Sequence, residues 1–324
     1  MRRLTSLCLA AAVAVMGLAG GAVAQTAYPS QSINLVIPYP PGGSEALGRR
    51  IAQTMSANIG QSIVVENVPG ASTQVASLKI KQAKPDGYTM YVSSPPDLAM
   101  GPAFYSNLTF DPLKDFTLVT YYAEAPYILL VNPALPVKNY KEFVDYLSAN
   151  PDKVRFGSYG PLSQVDILAR RFKKETGIDF DIIPYPGGGP TFTALMAGEV
   201  DAVFATPIPT RGFIKDGKML PVAVTTASRS KLFPDVPTLK EVGLNIEDAA
   251  SYGIAGPAGL PKEVSDFWLA EWTKAMQDPE TLAFIESLGV QPVESSPEHF
   301  RETLTKNTEA WAKLANDLGI DKQK

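Results

Sequence analysis

The chain has 324 residues, 45% of them apolar, with 29 basic against 33 acidic side chains and a net charge of −4. That size and composition suit a globular protein that buries its own core, and a net-negative chain with scattered Lys and Arg offers no footprint for nucleic acid or anionic lipid. One histidine, His299, and one cysteine, Cys8, argue against a Ser–His–acid triad, a Cys–His pair and a His-rich metal site.

Arg2 and Arg3 precede an apolar stretch from Leu4 to Leu18, and Ala22-Val23-Ala24 supplies a small-x-small cleavage pattern before Gln25. This reads as a cleavable secretory signal over Met1–Ala24 and not as a membrane anchor, which needs roughly 20 apolar residues. Cys8 lies inside the apolar stretch, out of position for lipid attachment. Taking 24 residues from 324 leaves 300, and removes two of the 29 basic residues and none of the 33 acidic ones, for a charge of −6. No cysteine remains, so stability must come from the core.

From Ser32 onward, strand-like and helix-like patterns alternate. Ile33–Ile37 predicts a strand, and Leu47, Ile51 and Met55 recur at helical spacing until Gly60. Strands follow at Ile63–Val65 and Tyr88–Val92, separated by a helix that ends at Lys84-Pro85-Asp86-Gly87. This is the sequence form of right-handed parallel βαβ units. Between Phe116 and Val131 two apolar runs are separated only by Glu124-Ala125-Pro126, which marks a crossing into a second unit. Helices are then expected at Tyr140–Leu147, Ser163–Phe172 and Phe192–Met196, with strands at Val154–Phe156, Phe180–Ile183, Ala202–Phe204 and Pro221–Thr225. After a return near Ser251–Pro257 the chain is helical, with Trp268 and Trp272 on one apolar stripe and Trp311 on another.

Three turns carry the functional signal. Ile37-Pro38-Tyr39-Pro40-Pro41-Gly42-Gly43-Ser44, Phe156-Gly157-Ser158-Tyr159-Gly160 and Ile183-Pro184-Tyr185-Pro186-Gly187-Gly188-Gly189 each follow a strand and precede a helix. A strand that empties through Gly into a helix start presents bare backbone amides beside unpaired helix N–H groups, which suits an anion. One such dipole supplies about 0.3–1 kcal/mol. Two facing helix starts that close over a carboxylate reach the roughly −8 kcal/mol of micromolar binding. Ser228-Arg229-Ser230-Lys231 matches an S-x-x-K pattern without its partner motifs, and Asn107-Leu108-Thr109 is a formal sequon; neither carries an argument. No cofactor, metal site or catalytic residue is expected.

The order of these words resembles one family. Ile37–Gly43, Val65-Glu66-Asn67 with Pro69-Gly70-Ala71, Pro85-Asp86-Gly87-Tyr88, Tyr105–Asp115, Val131-Asn132-Pro133 and Pro234-Asp235-Val236-Pro237-Thr238 are similar to the substrate-binding proteins of tripartite tricarboxylate transporters, the Bug family. The resemblance implies an α/β fold of the type II periplasmic binding proteins, two doubly wound lobes joined by a hinge with the ligand between them. On that reading residues 25–125 begin the first lobe, 126–250 form the second, and 251–324 return to the first. The ligand carboxylate would be gripped by the loop of Tyr39, Pro41, Gly42, Gly43, Ser44 and Glu45 and by that of Ser158, Tyr159, Ser163 and Gln164. Ser93, Ser94, Tyr185, Gly187 and Gly188 would complete the wall.

Departures from the family pattern bear on the ligand's far end. Glu45 and Ala46 follow Ser44, Val68 stands where an Arg is usual, Asp166 where a His is common, and Ala205 in place of an Asp, with Arg211 shortly after. Glu45 is expected in the first helical turn, facing solvent, and Arg211 offers a fork for a second ligand carboxylate. The expectation is a monomeric periplasmic receptor, not an enzyme, that delivers a mono- or dicarboxylate, aromatic ones included, to a membrane permease. A sensor subunit presenting the same ligand to a signalling receptor and an enzyme on the same scaffold are the alternatives.

Overall fold

The computed structural model describes residues 28–39, 45–70 and 73–323. The expected signal segment, Met1–Ala24, and the turn Pro41–Ser44 lie outside them. The first run of elements is β1 (Ile33–Ile37), α1 (Glu45–Ile59), β2 (Ile63–Asn67), α2 (Gln74–Lys81), β3 (Thr89–Ser93), α3 (Pro95–Phe104) and the long β4 (Phe116–Pro126). A second run comprises β5 (Ile128–Val131), α4 (Tyr140–Ala149), β6 (Arg155–Ser158), α5 (Gln164–Thr176), β7 (Asp181–Pro184), α6 (Gly188–Ala197), β8 (Ala202–Ala205), α7 (Pro207–Lys215) and β9 (Leu220–Val224). The chain closes with β10 (Ala249–Pro257), α8 (Lys262–Gln277), α9 (Pro279–Ser287), β11 (Gln291–Pro292) and α10 (Pro297–Asp317).

These strands build two sheets. The first has the order β11-β4-β10-β3-β1-β2 and the second β7-β6-β8-β5-β9. Only Tyr127 separates β4 of the first sheet from β5 of the second, and β10 re-enters the first sheet antiparallel to both β3 and β4. Two chain crossings thus join the lobes: Pro126–Ile128 and the segment between β9 and β10.

Each sheet is sandwiched by helices, as β4 illustrates. Successive strand residues point to opposite faces, and Tyr121 packs on Phe300 of α10 at 6.5 Å between ring centroids while Tyr122 packs on Trp272 of α8 at 5.3 Å. Trp268 and Trp272 are fully buried, and Trp311 of α10 meets Phe104 of α3 edge-on. The second lobe has its own aromatic centre, where Phe156 of β6 stacks on Phe180 at 4.2 Å and lies near Phe143 and Phe172.

Two helices, α3 and α7, are not among those expected, and both begin at proline, as does α9 within the expected helical C-terminal part: α3 at Pro95-Pro96, α7 at Pro207 and α9 at Pro279. In a first helical turn the missing proline N–H has no partner to lose, so these prolines start helices. Ser94 accepts the Leu98 N–H on its carbonyl at 3.0 Å, and the Asp278 carboxylate caps the N–H of Thr281 at 2.9 Å.

Candidate ligand-binding site

In an open α/β sheet a crevice forms beyond the carboxyl ends of the strands where strand order reverses, because the two flanking loops leave in opposite directions. The first sheet has this reversal at β1, parallel to β2 on one side and to β3 on the other. The second has it at β6, between β7 and β8. The glycine-bearing turns after β6 and β7 leave from adjacent strands at the second of these points, and Tyr39 leaves β1 at the first.

Ser93 is the last residue of β3. Its side chain is wholly buried and its Oγ has no hydrogen-bond partner among the described residues. The neighbouring Ser94 is also buried, at the start of α3. Tyr39, just beyond β1, is half-buried, and its carbonyl accepts the Asn67 amide at 2.8 Å, which fixes the chain as it leaves the strand. Glu45 opens α1 and is 5% exposed, so the expectation that it faces solvent is corrected. Its carboxylate is paired with the guanidinium of Arg49 one turn on, which lets the charge stay inside.

Ser158 occupies the matching place in the second lobe. It ends β6, is wholly buried, and its Oγ also lacks a partner among the described residues. Its carbonyl accepts the Tyr185 N–H at 2.9 Å and the Thr191 hydroxyl at 3.2 Å, which ties the β6 and β7 turns into one wall. Gly157 is required there, since a Cβ would sit 2.6 Å from Thr191 Cγ2 and 3.2 Å from Val200 Cγ2. Tyr159 packs edge-on against Phe192 at 5.8 Å, and a Cβ on Gly188 would lie 3.4 Å from the Tyr159 ring. Burial pushes the Tyr159 hydroxyl far above its ordinary pKa, so it is a neutral donor. Gly187 precedes α6 with φ +101°, a conformation that favours glycine.

Other predicted residues are engaged elsewhere. Ser163 caps α5: its Oγ accepts the Asp166 N–H at 3.3 Å and donates to the Gly160 carbonyl at 2.8 Å. Gln164 faces the lobe crossings, accepting from the Tyr127 hydroxyl and donating to Asp248 at 3.2 Å. The Tyr185 hydroxyl reaches Glu199 at 3.4 Å. Arg211 donates to the carbonyl of Ser287 and, at 3.3 Å, to its hydroxyl, capping the carboxyl end of α9. Its Nη1 is therefore held by the first lobe. Asp166, 2% exposed, accepts the Leu162 N–H at 3.1 Å and Arg170 Nε at 2.9 Å, which repeats in α5 the pairing of Glu45 with Arg49 in α1.

Residues 47–320 match the family described as the tripartite tricarboxylate transporter family receptor, TctC. The chain belongs to this receptor family. It is 28% identical to the protein BugT of Bordetella pertussis over 95% of each chain. Among solved structures, the periplasmic binding protein BugD is 27% identical, covers 91% of this chain with all of its own, and superposes with a TM-score of 0.84. An R. palustris protein solved with adipate is also 27% identical, with the same coverage and a TM-score of 0.86. The fold is thus that of these two-lobed receptors.

Two features of this receptor were not read from sequence. Leu162, in the loop after Ser158, has φ +57° and is 4% exposed; nothing in a lone leucine announces a left-handed backbone. Thr191, whose hydroxyl bonds the carbonyls of Ser158 and Gly187, carries no sequence signal that sets it apart. A cavity of about 570 Å³ between α5, α10 and the β9–β10 connection is lined by none of the predicted site residues. Its walls carry charged side chains such as Arg171 and Lys174 that are bonded within the protein, whereas the Ser93 and Ser158 hydroxyls, buried without a partner among the described residues, are at strand ends. The strand ends are therefore the better candidate.

Proposed function

We propose that this receptor holds a small mono- or dicarboxylate between Ser93 of the first lobe and Ser158 of the second, and delivers it to the permease of a tripartite transporter. The observation that carries the reading is that the wholly buried Ser93 and Ser158 hydroxyls, at the carboxyl ends of β3 and β6, have no partner among the described residues. A buried hydroxyl without a partner costs about 1–3 kcal/mol, and a carboxylate oxygen accepting from it removes that penalty through a charge-assisted bond. The adipate bound by the R. palustris relative supports a linear dicarboxylate. With Arg211 on Ser287, and Arg49 and Arg170 on their own helix carboxylates, the neutral Tyr159 wall favours an apolar or aromatic middle over a compact tricarboxylate.

The proposal includes a monomer exported by cleavage after Ala24, without a lipid anchor, with the lobes divided at residues 125/126 and 250/251. Intact mass of the exported protein should correspond to a start at Gln25; a lipid adduct would refute this part. For the ligand, a thermal-shift panel of adipate, succinate, benzoate and citrate is decisive. A ligand at about 100 times its Kd adds about 2.7 kcal/mol of stability. Adipate or benzoate should shift the melting temperature most. Citrate giving the largest shift while the others give none would overturn the reading.

A further inference from the structure

We propose that Leu162 is a positioning residue that ties the second lobe's ligand loop to closure on the first lobe. The inference rests on the reading that the ligand sits at the strand ends beside Ser158. Leu162 belongs by sequence to the second lobe, in the turn between β6 and α5. Its buried side chain, and that of Ile167 in α5, nevertheless join the first lobe's apolar cluster, with Leu98, Phe104, Phe300 and Trp311. The second lobe's separate cluster around Phe192 and Leu195 contains neither.

The backbone gives the second observation. At φ +57° a leucine is strained, because its Cβ crowds the carbonyl, and glycine or asparagine fits this conformation more easily. A turn whose only task is to present Ser158 has no use for leucine there. The strain is held in place by the Leu162 N–H to Asp166 bond at 3.1 Å, by Arg170 on that carboxylate at 2.9 Å, and by Ser163 on Gly160 at 2.8 Å. This frame aims the side chain out of its own lobe and into the other. Such strain persists where surrounding structure over-determines it, and its compensation here, apolar burial in the first lobe, exists only while the lobes are together. A ligand that orders the loop at Ser158 thereby also sets Leu162 for closure, and a closed Leu162 slows the ligand's escape.

The test uses the full mature chain, which has no cysteine, with Ala57→Cys on α1 and Ala149→Cys on α4, both exposed, labelled for interlobe distance measurement. Leu162→Asn and Leu162→Gly relieve the backbone and remove the apolar group; Leu162→Met keeps it. The ligand-free closed population should fall in the Asn and Gly variants and persist in Met. Adipate should bind the Asn variant roughly 10- to 100-fold more weakly, mainly through faster dissociation. The ligand-free melting temperature should stay within about 2 °C. An Asn variant with wild-type closed population and dissociation rate overturns the proposal. So does a Met variant as weak as Asn, or a loss of melting temperature that accounts for the weaker binding. If the unsubstituted protein answers to no carboxylate, the functional reading fails, while the ligand-free distances still decide the role of Leu162.

Discussion

Replacing Ser158 by alanine should move stability and binding in opposite directions. The side chain is wholly buried and Oγ has no partner among the described residues, so the ligand-free protein carries a desolvated hydroxyl that costs about 1–3 kcal/mol. Alanine removes that atom and leaves intact the backbone bonds from Tyr185 and Thr191 to the Ser158 carbonyl. Part of the gain is offset by lost packing around the vanished oxygen, which leaves a net stabilisation of about 1 kcal/mol and a rise in melting temperature of about 2–4 °C. A charge-assisted bond to a ligand carboxylate contributes about 1.5–3 kcal/mol, so affinity should fall roughly 10- to 100-fold. Calorimetric unfolding of protein freed of bound solute by unfolding and refolding gives the first quantity, and titration with adipate gives the second. A destabilised variant with unchanged affinity would show that the hydroxyl is a structural group, and the assignment of the site would fall with it.

Gly157→Ala should destabilise by about 1–3 kcal/mol, because Thr191, 2.6 Å from the new Cβ, is anchored by its bonds to Ser158 and Gly187 and cannot turn aside; an unchanged urea midpoint would contradict this packing. Arg211→Ala should cost no more than about 1 kcal/mol and leave adipate affinity unchanged, since its guanidinium caps α9 at Ser287. A large affinity loss in that variant would bring Arg211 back to the ligand. Glu124 accepts the Tyr121 hydroxyl; burial holds its carboxyl above the usual range, His299 opposes the shift and Glu247 adds to it. A raised acid pKa stabilises the folded state below the unfolded value of about 4.3 and loses that contribution as pH rises through the folded value. Glu124→Gln should therefore raise stability near neutral pH and leave it unchanged below about pH 4, as equilibrium unfolding at the two pH values will show.

The alternation of strands and helices was legible because each apolar run is short and bounded by Gly or Pro. Ile33–Ile37, with Leu47, Ile51 and Met55 behind it, reads directly as β1 and α1. The helices that begin at Pro95 and Pro207 were hidden because a proline looks the same in a turn and in a first helical turn until the following N–H groups find their acceptors. Ser158 was legible as a turn residue after a strand, but that its hydroxyl is orphaned depends on what surrounds it in space. The fates of Gln164 and Arg211 were illegible for the same reason. Their partners, Tyr127 with Asp248 and Ser287, are distant in sequence, and only the folded lobes show that both side chains are already engaged. Leu162 lay deepest, since its backbone conformation is held by Asp166 in the following helix and its burial involves side chains of the opposite lobe.

Glu45 with Arg49, and Asp166 with Arg170, place a buried acid and its cation on the same helix, one pair in each lobe. Neither pair spans the cleft. When the lobes part, each carries its own counter-charge with it, and no attraction between these helix starts has to be broken or remade in water of changing ionic strength. At these two points the swing about the hinge is electrically silent: dissolved salt, which screens exposed charges over about 8–10 Å, has little there to act on. A protein working where ionic conditions follow those outside the cell envelope would gain a grip whose opening and closing are governed by shape and by the ligand, and hardly by the surrounding electrolyte.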